Sequence, residues 1–107
     1  LSACLATDFP DACAGVFALR TGSKQVCASW RDSDACRHFY LSALLSENPQ
    51  GVNASAALSQ CNALADNHWR YACLERHAQI LQDIRFCQAM EVYASARQCI
   101  GQVSKTA

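Results

Sequence analysis

Apolar residues in the second half of the chain recur at steps of three and four positions, which is the spacing of one face of an α-helix. One such stripe consists of Trp69, Cys73, His77, Ile80 and Ile84, and it is continued by Phe86, Met90, Tyr93, Ala94 and Ile100. The alternation of β-strands is absent, whereas the helix-forming residues Ala, Leu, Gln, Arg and Glu dominate. The pattern predicts an all-α fold.

Capping and helix-breaking residues divide this pattern into short helices. The predicted helices cover residues 10–19, 24–31, 33–46, 54–65, 67–82 and 83–103. Pro10 suits the first turn of the first helix, and Gly22 is expected to end it. The expected N-caps are Asp8, Asp32 or Ser33, Asp66 and Asp83. Pro49 and Gly51 interrupt the pattern, so we predict one domain made of two halves, 1–46 and 54–107, with a linker over 47–53.

Eight cysteines follow a repeating pattern. They form four sequential pairs, which are Cys4/Cys13, Cys27/Cys36, Cys61/Cys73 and Cys87/Cys99. In the first half the pairs are spaced C-x8-C and recur after 23 residues, whereas in the second half they are spaced C-x11-C and recur after 26. A fixed period of about 20–50 residues indicates supersecondary units stacked on their neighbours. We therefore predict two duplicated halves of two units each.

We expect the cysteines to form four structural disulfides and to hold no metal. Zinc sites usually place two ligands two to four residues apart, and the closest spacing here is C-x8-C. Four disulfides indicate a secreted or periplasmic protein, and we expect the chain to be its mature form. Leu1-Ser2-Ala3-Cys4 has the form of a bacterial lipobox, but Cys4 also fits the 23-residue repeat, so we expect a structural bridge there rather than a lipid anchor.

The spacing alone leaves two pairings open. Positions twelve apart on a straight helix are separated by about 18 Å, which is too far for a disulfide, so a bonded pair requires the chain to fold back. In the local arrangement each sequential pair closes its own short hairpin, and we favour it because a duplicating unit that closes its own bridge stays foldable. The nested alternative places Cys13–Cys27 inside Cys4–Cys36, and Cys73–Cys87 inside Cys61–Cys99. Nested bridging resembles the twin-cysteine helical hairpins of the mitochondrial intermembrane space, whose usual spacing is C-x9-C.

The charge balance favours proteins as partners over nucleic acids and membranes. Nine basic residues balance nine acidic ones, so the formal net charge is zero. Such a chain has no electrostatic drive towards nucleic acid or anionic lipid, and it has no apolar run near the 18 residues that a membrane span needs. Because little repulsion keeps copies apart, we expect a protein partner or self-association.

The catalytic inventory is small. The three histidines are His38, His68 and His77, and we expect His38 and His77 to be packed side chains. Disulfide-rich helical phospholipases use a His-Asp pair, and no His-Asp dipeptide or G-x-S-x-G motif occurs here. We assign no catalytic residue and no cofactor, and we expect no enzyme. A small secreted hydrolase with His68 as its best candidate is the weakest alternative. Asn53 begins a glycosylation sequon.

A stronger alternative is a carrier of a small apolar ligand such as a lipid or haem. Its pocket would be lined by residues of the apolar stripe, namely Trp69, His77, Ile80, Phe86 and Met90.

The third and fourth units read Cys61-x4-Asp66-x3-Arg70-x2-Cys73 and Cys87-x2-Met90-x6-Arg97-x-Cys99. They resemble the cysteine-rich helical repeats of some bacterial exported proteins, which have the form C-x2-[I/L]-x-D-x3-R-x2-C. The resemblance covers about a third of the chain; it implies an exported repeat protein and no particular activity. The leading expectation is an exported, non-enzymatic structural or protein-interaction module that assembles with itself or within a larger extracellular structure.

Overall fold

The computed structural model describes residues 2–23 and 25–106. Its α-helices, in chain order, are α1 (Pro10–Thr21), α2 (Gln25–Ala28), α3 (Ser33–Glu47), α4 (Ala54–Asn62), α5 (Asn67–Leu81), α6 (Arg85–Gln88) and α7 (Tyr93–Thr106), and short 3-10 helices cover Ser2–Ala6 and Pro49–Gly51. No β-strand occurs in these ranges, so the predicted all-α fold is confirmed. None of the described helices is long and apolar enough to cross a bilayer. Leu1, the first residue of the lipobox-like motif, and Lys24, the first residue of the predicted helix 24–31, lie outside the described residues.

Every cysteine is bonded to its sequential partner, so the local pairing is confirmed and the nested one is wrong. The disulfides are Cys4–Cys13, Cys27–Cys36, Cys61–Cys73 and Cys87–Cys99, with Cα–Cα separations of 5.4, 5.2, 5.6 and 5.5 Å. Each bond links a short helix to the longer helix that follows it. Because the sulfur of Cys4 is bonded to Cys13, it is not available for a lipid thioether.

The single helix predicted over residues 83–103 is wrong. The chain forms α6, turns at residues 89–92, and continues as α7. The Cys87–Cys99 bond explains the turn, because two cysteines twelve positions apart can meet only if the helix between them is broken. The helices predicted over 24–31 and 54–65 also end earlier, at Ala28 and Asn62.

Two of the predicted aspartate caps, Asp32 and Asp66, are in place, whereas the predicted cap Asp83 is wrong because Ile84 occupies the N-cap of α6. The backbone N–H groups of Ala35, His68 and Arg85 donate to the side chains of Asp32, Asp66 and Asp83 at 3.1, 2.8 and 3.0 Å. The predicted cap Asp8 is wrong, since Phe9 occupies the N-cap of α1 and no side chain caps that helix. Pro10 opens α1 as predicted, and Gly22, with φ of 70°, ends it in the left-handed conformation that favours glycine.

The longer helices stack in the order α1, α3, α5, α7, each packed against the next. Two clusters of buried side chains follow from this stacking. The first is formed by Cys4, Ala14, Ala18, Cys27, Trp30 and Cys36, and the second is centred on Leu64, Leu74, Phe86 and three of the remaining cysteines, Cys61, Cys73 and Cys87. Tyr40 on α3 packs against both clusters and so joins the two halves.

The contact between α1 and α3 is close because the buried residues of α1 are small. Ala14 and Ala18 are fully buried. Gly15 lies between them, and a Cβ atom at this position would be 2.6 Å from Cβ of Phe39 and 2.7 Å from the backbone nitrogen of Tyr40. A side chain at residue 15 would therefore push the two helices apart.

Candidate interaction surface

The side chains predicted to line a ligand pocket are only partly brought together. The ring of Phe86 stacks on that of His77 at 5.4 Å, and Phe86 and Met90 belong to the second core cluster. Trp69 packs at the edge of that cluster, where its ring is 5.1 Å from His38 and 5.4 Å from Phe39. Ile80 lies at the surface. These residues serve mainly as packing groups.

His77 lies beside the disulfide of the third unit. Its Nδ1 is 2.8 Å from the carbonyl oxygen of Cys73 and 3.7 and 3.8 Å from the sulfurs of Cys61 and Cys73. A carbonyl only accepts, so Nδ1 carries the proton, and burial lowers the pKa of this histidine. The three residues have the proximity of a metal-ligand set, but the two sulfurs are bonded to each other and are not thiolate ligands.

His38 is buried in the contact between α3 and α5. Its ring contacts those of Phe39 and Trp69, at 5.0 and 5.1 Å, and these two rings also contact each other. Burial lowers the pKa of His38 to about 4, with smaller contributions from His77, Arg76 and His68. Its Nδ1 has no hydrogen-bond partner among the described residues. A neutral His38 therefore acts as an aromatic packing group between the two halves. His68, the best hydrolase candidate, is exposed, and its ring contacts that of Trp69.

Asn53, the sequon residue, has a structural role at the start of α4. Its Oδ1 accepts a hydrogen bond of 3.0 Å from the N–H of Ala56 and caps the helix.

The face of α1 that points away from α3 carries a stripe of apolar side chains. This outer face of α1 consists of Phe9, Ala12, Cys13, Val16 and Phe17. Phe9, Val16 and Phe17 are 76%, 41% and 37% exposed. At 100° per residue, these positions centre on the side opposite Ala14, Gly15 and Ala18. Thus α1 is apolar on two faces, and the outer one is covered only near Cys13, which is bonded to Cys4 of the N-terminal 3-10 helix. An all-round apolar helix is typically buried on all sides.

Three polar side chains of α1 make contacts of their own, two to other parts of the molecule and one within the helix. Asp11 accepts a hydrogen bond of 2.7 Å from the indole Nε1 of Trp30. Arg20 pairs with Glu47 of α3 at 2.5 Å, and the hydroxyl of Thr21 donates to the carbonyl of Phe17 at 3.0 Å. The middle of the outer face is therefore left without a charge.

A shallow groove of about 680 Å³ runs along the outer face of α1. Asp8 borders the groove at the N-terminal end of the helix and Arg20 borders it at the C-terminal end. Asp8 has no ion-pair partner within residues 2–23 and 25–106. The groove thus has an apolar floor, an acidic end at Asp8 and a basic end at Arg20, whose guanidinium also pairs with Glu47.

The outer side of α7, the last helix of the stack, differs from that of α1. Among residues 92–104 the exposed positions are Val92, Tyr93, Ala94, Arg97, Gln98, Gly101 and Ser104, and the two large apolar side chains, Val92 and Tyr93, both lie at the start of the helix. Stacked repeats need polar outer faces on their terminal units to stay apart from other molecules. Beyond Val92 and Tyr93 at its start, α7 meets that requirement, whereas α1 exposes large apolar side chains along its length.

The sequence analysis did not single out the outer face of α1. The apolar stretch at residues 16–19 could have indicated this face. Helical spacing places Val16 and Phe17 opposite the small residues 14, 15 and 18, so the two groups cannot face the same neighbour.

Comparisons with protein-family models, curated proteins and solved structures found no match to this chain.

Proposed function

We propose that this chain is an exported, non-enzymatic interaction module that associates with a second copy of itself through the outer face of α1. One observation carries the proposal: large apolar side chains are exposed along the outer face of α1, whereas at the other end of the stack they are confined to Val92 and Tyr93 at the start of α7. Removing such apolar area from water contributes about 25 cal/mol per Å².

A second copy fits this face because the two ends of the groove are oppositely charged. If two α1 helices pair antiparallel about a two-fold axis, Asp8 of each copy faces Arg20 of the other. Parallel pairing would instead place like charges together. The formal net charge of zero adds no general repulsion between copies.

The outer face is also held rigid, which limits the entropy lost on association. The Cys4–Cys13 disulfide joins the preceding 3-10 helix to α1. The Asp11–Trp30 and Arg20–Glu47 contacts fasten α1 to the units behind it. Because a single helix pair makes a small interface, we expect a dissociation constant on the order of micromolar.

Export is supported by the four disulfides, which indicate an oxidising compartment. We propose a secreted or periplasmic location.

Sedimentation velocity over a range of concentrations tests self-association, with Phe9→Glu as the disrupting variant. Tyr93→Glu is the matched control, since Phe9 and Tyr93 are both 76% exposed but lie at opposite ends of the stack. We expect a monomer–dimer equilibrium that Phe9→Glu weakens at least tenfold and Tyr93→Glu leaves unchanged. A protein that stays monomeric at millimolar concentration, or an equal loss in both variants, would contradict the proposal.

A further inference from the structure

A second surface feature lies where the two halves meet, away from α1. A cleft of about 200 Å³ opens between α3 and the C-terminal end of α4. The residues around it are Arg37, Tyr40, Leu41, Gln60, Ala63 and Leu64, together with the sulfur-bonded Cys27.

The inner wall of this cleft is apolar. Leu41 and Leu64 are 5% and 2% exposed, and Cys27 is buried and bonded to Cys36. The cleft is somewhat larger than an engineered apolar cavity of about 150 Å³ that takes up benzene. Its size therefore suits a short aliphatic chain or a single ring.

Three of the residues that line the cleft carry a polar group at the end of the side chain: Arg37, Tyr40 and Gln60. Neither the Tyr40 hydroxyl nor the Gln60 amide makes a hydrogen bond to another part of the chain that the structure describes. Apolar clefts with a few convergent polar groups, set between two packed units, are the usual form of small-molecule sites.

The charge of Arg37 is only loosely compensated. Its Nη1 is 4.0 Å from Oδ1 of Asp34, at the outer limit of an ion pair. The other oxygen of Asp34, Oδ2, accepts a hydrogen bond of 2.8 Å from the backbone N–H of Asp66. The guanidinium therefore keeps N–H groups that can donate to a carboxylate.

We propose that this cleft binds a small apolar molecule that carries one carboxylate. Its hydrocarbon part lies against Leu41 and Leu64, and its carboxylate accepts hydrogen bonds from Arg37, with the Tyr40 hydroxyl and the Gln60 amide as further donors. The site is separate from the outer face of α1, so it does not depend on self-association. It also differs from the pocket expected from the sequence, which used Trp69, His77, Ile80, Phe86 and Met90.

Octanoate is a suitable probe, and 1-octanol, which has the same chain length but no charge, is the control ligand. A titration followed by the backbone amide signals of the intact oxidised protein should show saturable shifts at residues 40, 41, 63 and 64, with octanoate binding at least threefold more tightly than octanol. Two variants at exposed positions test the assignment, Arg37→Gln for the carboxylate and Ala63→Phe to fill the cleft. Their matched controls on α7 are Arg97→Gln and Ala94→Phe.

Arg37→Gln should weaken octanoate binding about threefold to tenfold and leave octanol binding unchanged. Ala63→Phe should weaken both probes at least tenfold, and neither control should have an effect. The proposal is overturned if octanoate shifts no amide around the cleft, if Ala63→Phe binds it as the parent does, or if octanol binds as tightly as octanoate.

Discussion

The indole Nε1 of Trp30 donates a hydrogen bond of 2.7 Å to Oδ1 of Asp11, nineteen positions earlier in the chain. Trp30 is only 8% exposed and belongs to the first core cluster, so this bond ties the second unit to α1 from inside the fold. Helical spacing places Asp11 on the same side of α1 as Ala18, so its carboxylate is not part of the outer face.

Replacing Asp11 should destabilise the protein. In Asp11→Ala the indole N–H of Trp30 loses its acceptor in a largely buried position, and leaving such a donor unsatisfied costs about 1–3 kcal/mol. The free energy of unfolding from urea titration measures the effect. Asp8→Ala is the control, because Asp8 is exposed and should change the unfolding free energy by less than about 0.5 kcal/mol. Equal stability in Asp11→Ala and the parent protein would rule out the Asp11–Trp30 contact as a structural tie.

Antiparallel pairing of α1 predicts a specific mixed dimer. Asp8→Arg and Arg20→Asp should each weaken self-association, because each places like charges at both ends of the paired grooves. Mixed together, the two variants should form a heterodimer. The arginine introduced in the first variant then faces the aspartate introduced in the second, while the unchanged Arg20 of the first faces the unchanged Asp8 of the second. Sedimentation velocity of the separate and mixed samples measures this.

The control mixture pairs Asp8→Arg with Arg97→Asp, which has the same net charges but alters the opposite end of the stack. If heterodimers form to the same extent in both mixtures, general attraction between opposite net charges explains the association. That result would exclude the antiparallel arrangement.

The buried histidines predict a loss of stability in acid. The pKa of His38 is lowered to about 4 and that of His77 is also lowered, in both cases mainly by burial. The unfolded chain therefore binds more protons than the folded one below the ordinary histidine pKa of about 6.5, so the unfolding free energy falls as pH falls from about 7 towards 4. His38 alone should account for a loss of about 2 kcal/mol between pH 7 and pH 5.

His38→Phe separates this contribution from that of the carboxylates, because it keeps an aromatic ring against Phe39 and Trp69. Urea titrations at pH 7 and pH 5 should show a smaller difference in this variant than in the parent protein. An unchanged difference would show that His38 is not buried in its neutral form.

Two glycines in the middle of helices should respond to alanine in opposite ways. Gly15→Ala places a Cβ 2.6 Å from Cβ of Phe39 and should cost about 1–3 kcal/mol, because α1 must move away from α3. Gly101 in α7 has no atom within 4 Å of the same position, so Gly101→Ala should stabilise by about 0.5–1 kcal/mol. Thermal unfolding of the two variants shows whether each substitution lowers or raises the stability. A neutral Gly15→Ala would contradict the close packing of α1 on α3.

The sequence predicted features that depend on local rules. Helix type followed from apolar spacing, the caps Asp32 and Asp66 from residue chemistry, and local pairing from the repeat of the cysteines. The helix over 83–103 was wrong because residues 89–92 contain no Pro or Gly, so only the distance limit of the Cys87–Cys99 bond indicates the turn. The Asp8 cap was wrong because Phe9 occupies the N-cap.

The candidate sites depended on packing that the sequence does not specify. Val16 and Phe17 belong to an apolar stretch that suits a core, and they become a surface only because α1 lies at the end of the stack. The cleft near Arg37 and Leu64 forms where α3 of the first half meets the end of α4 of the second half. Neither arrangement can be derived from periodicity, since periodicity defines the faces of a helix but not the neighbours of each face.

The order of the stack, and with it the exposure of α1, depends on each unit closing its own disulfide. Peptide mapping of the unreduced protein by mass spectrometry tests this most directly. We expect four linked peptide pairs that join Cys4 to Cys13, Cys27 to Cys36, Cys61 to Cys73 and Cys87 to Cys99. Links between Cys13 and Cys27 or between Cys73 and Cys87, or eight free thiols, would contradict the account.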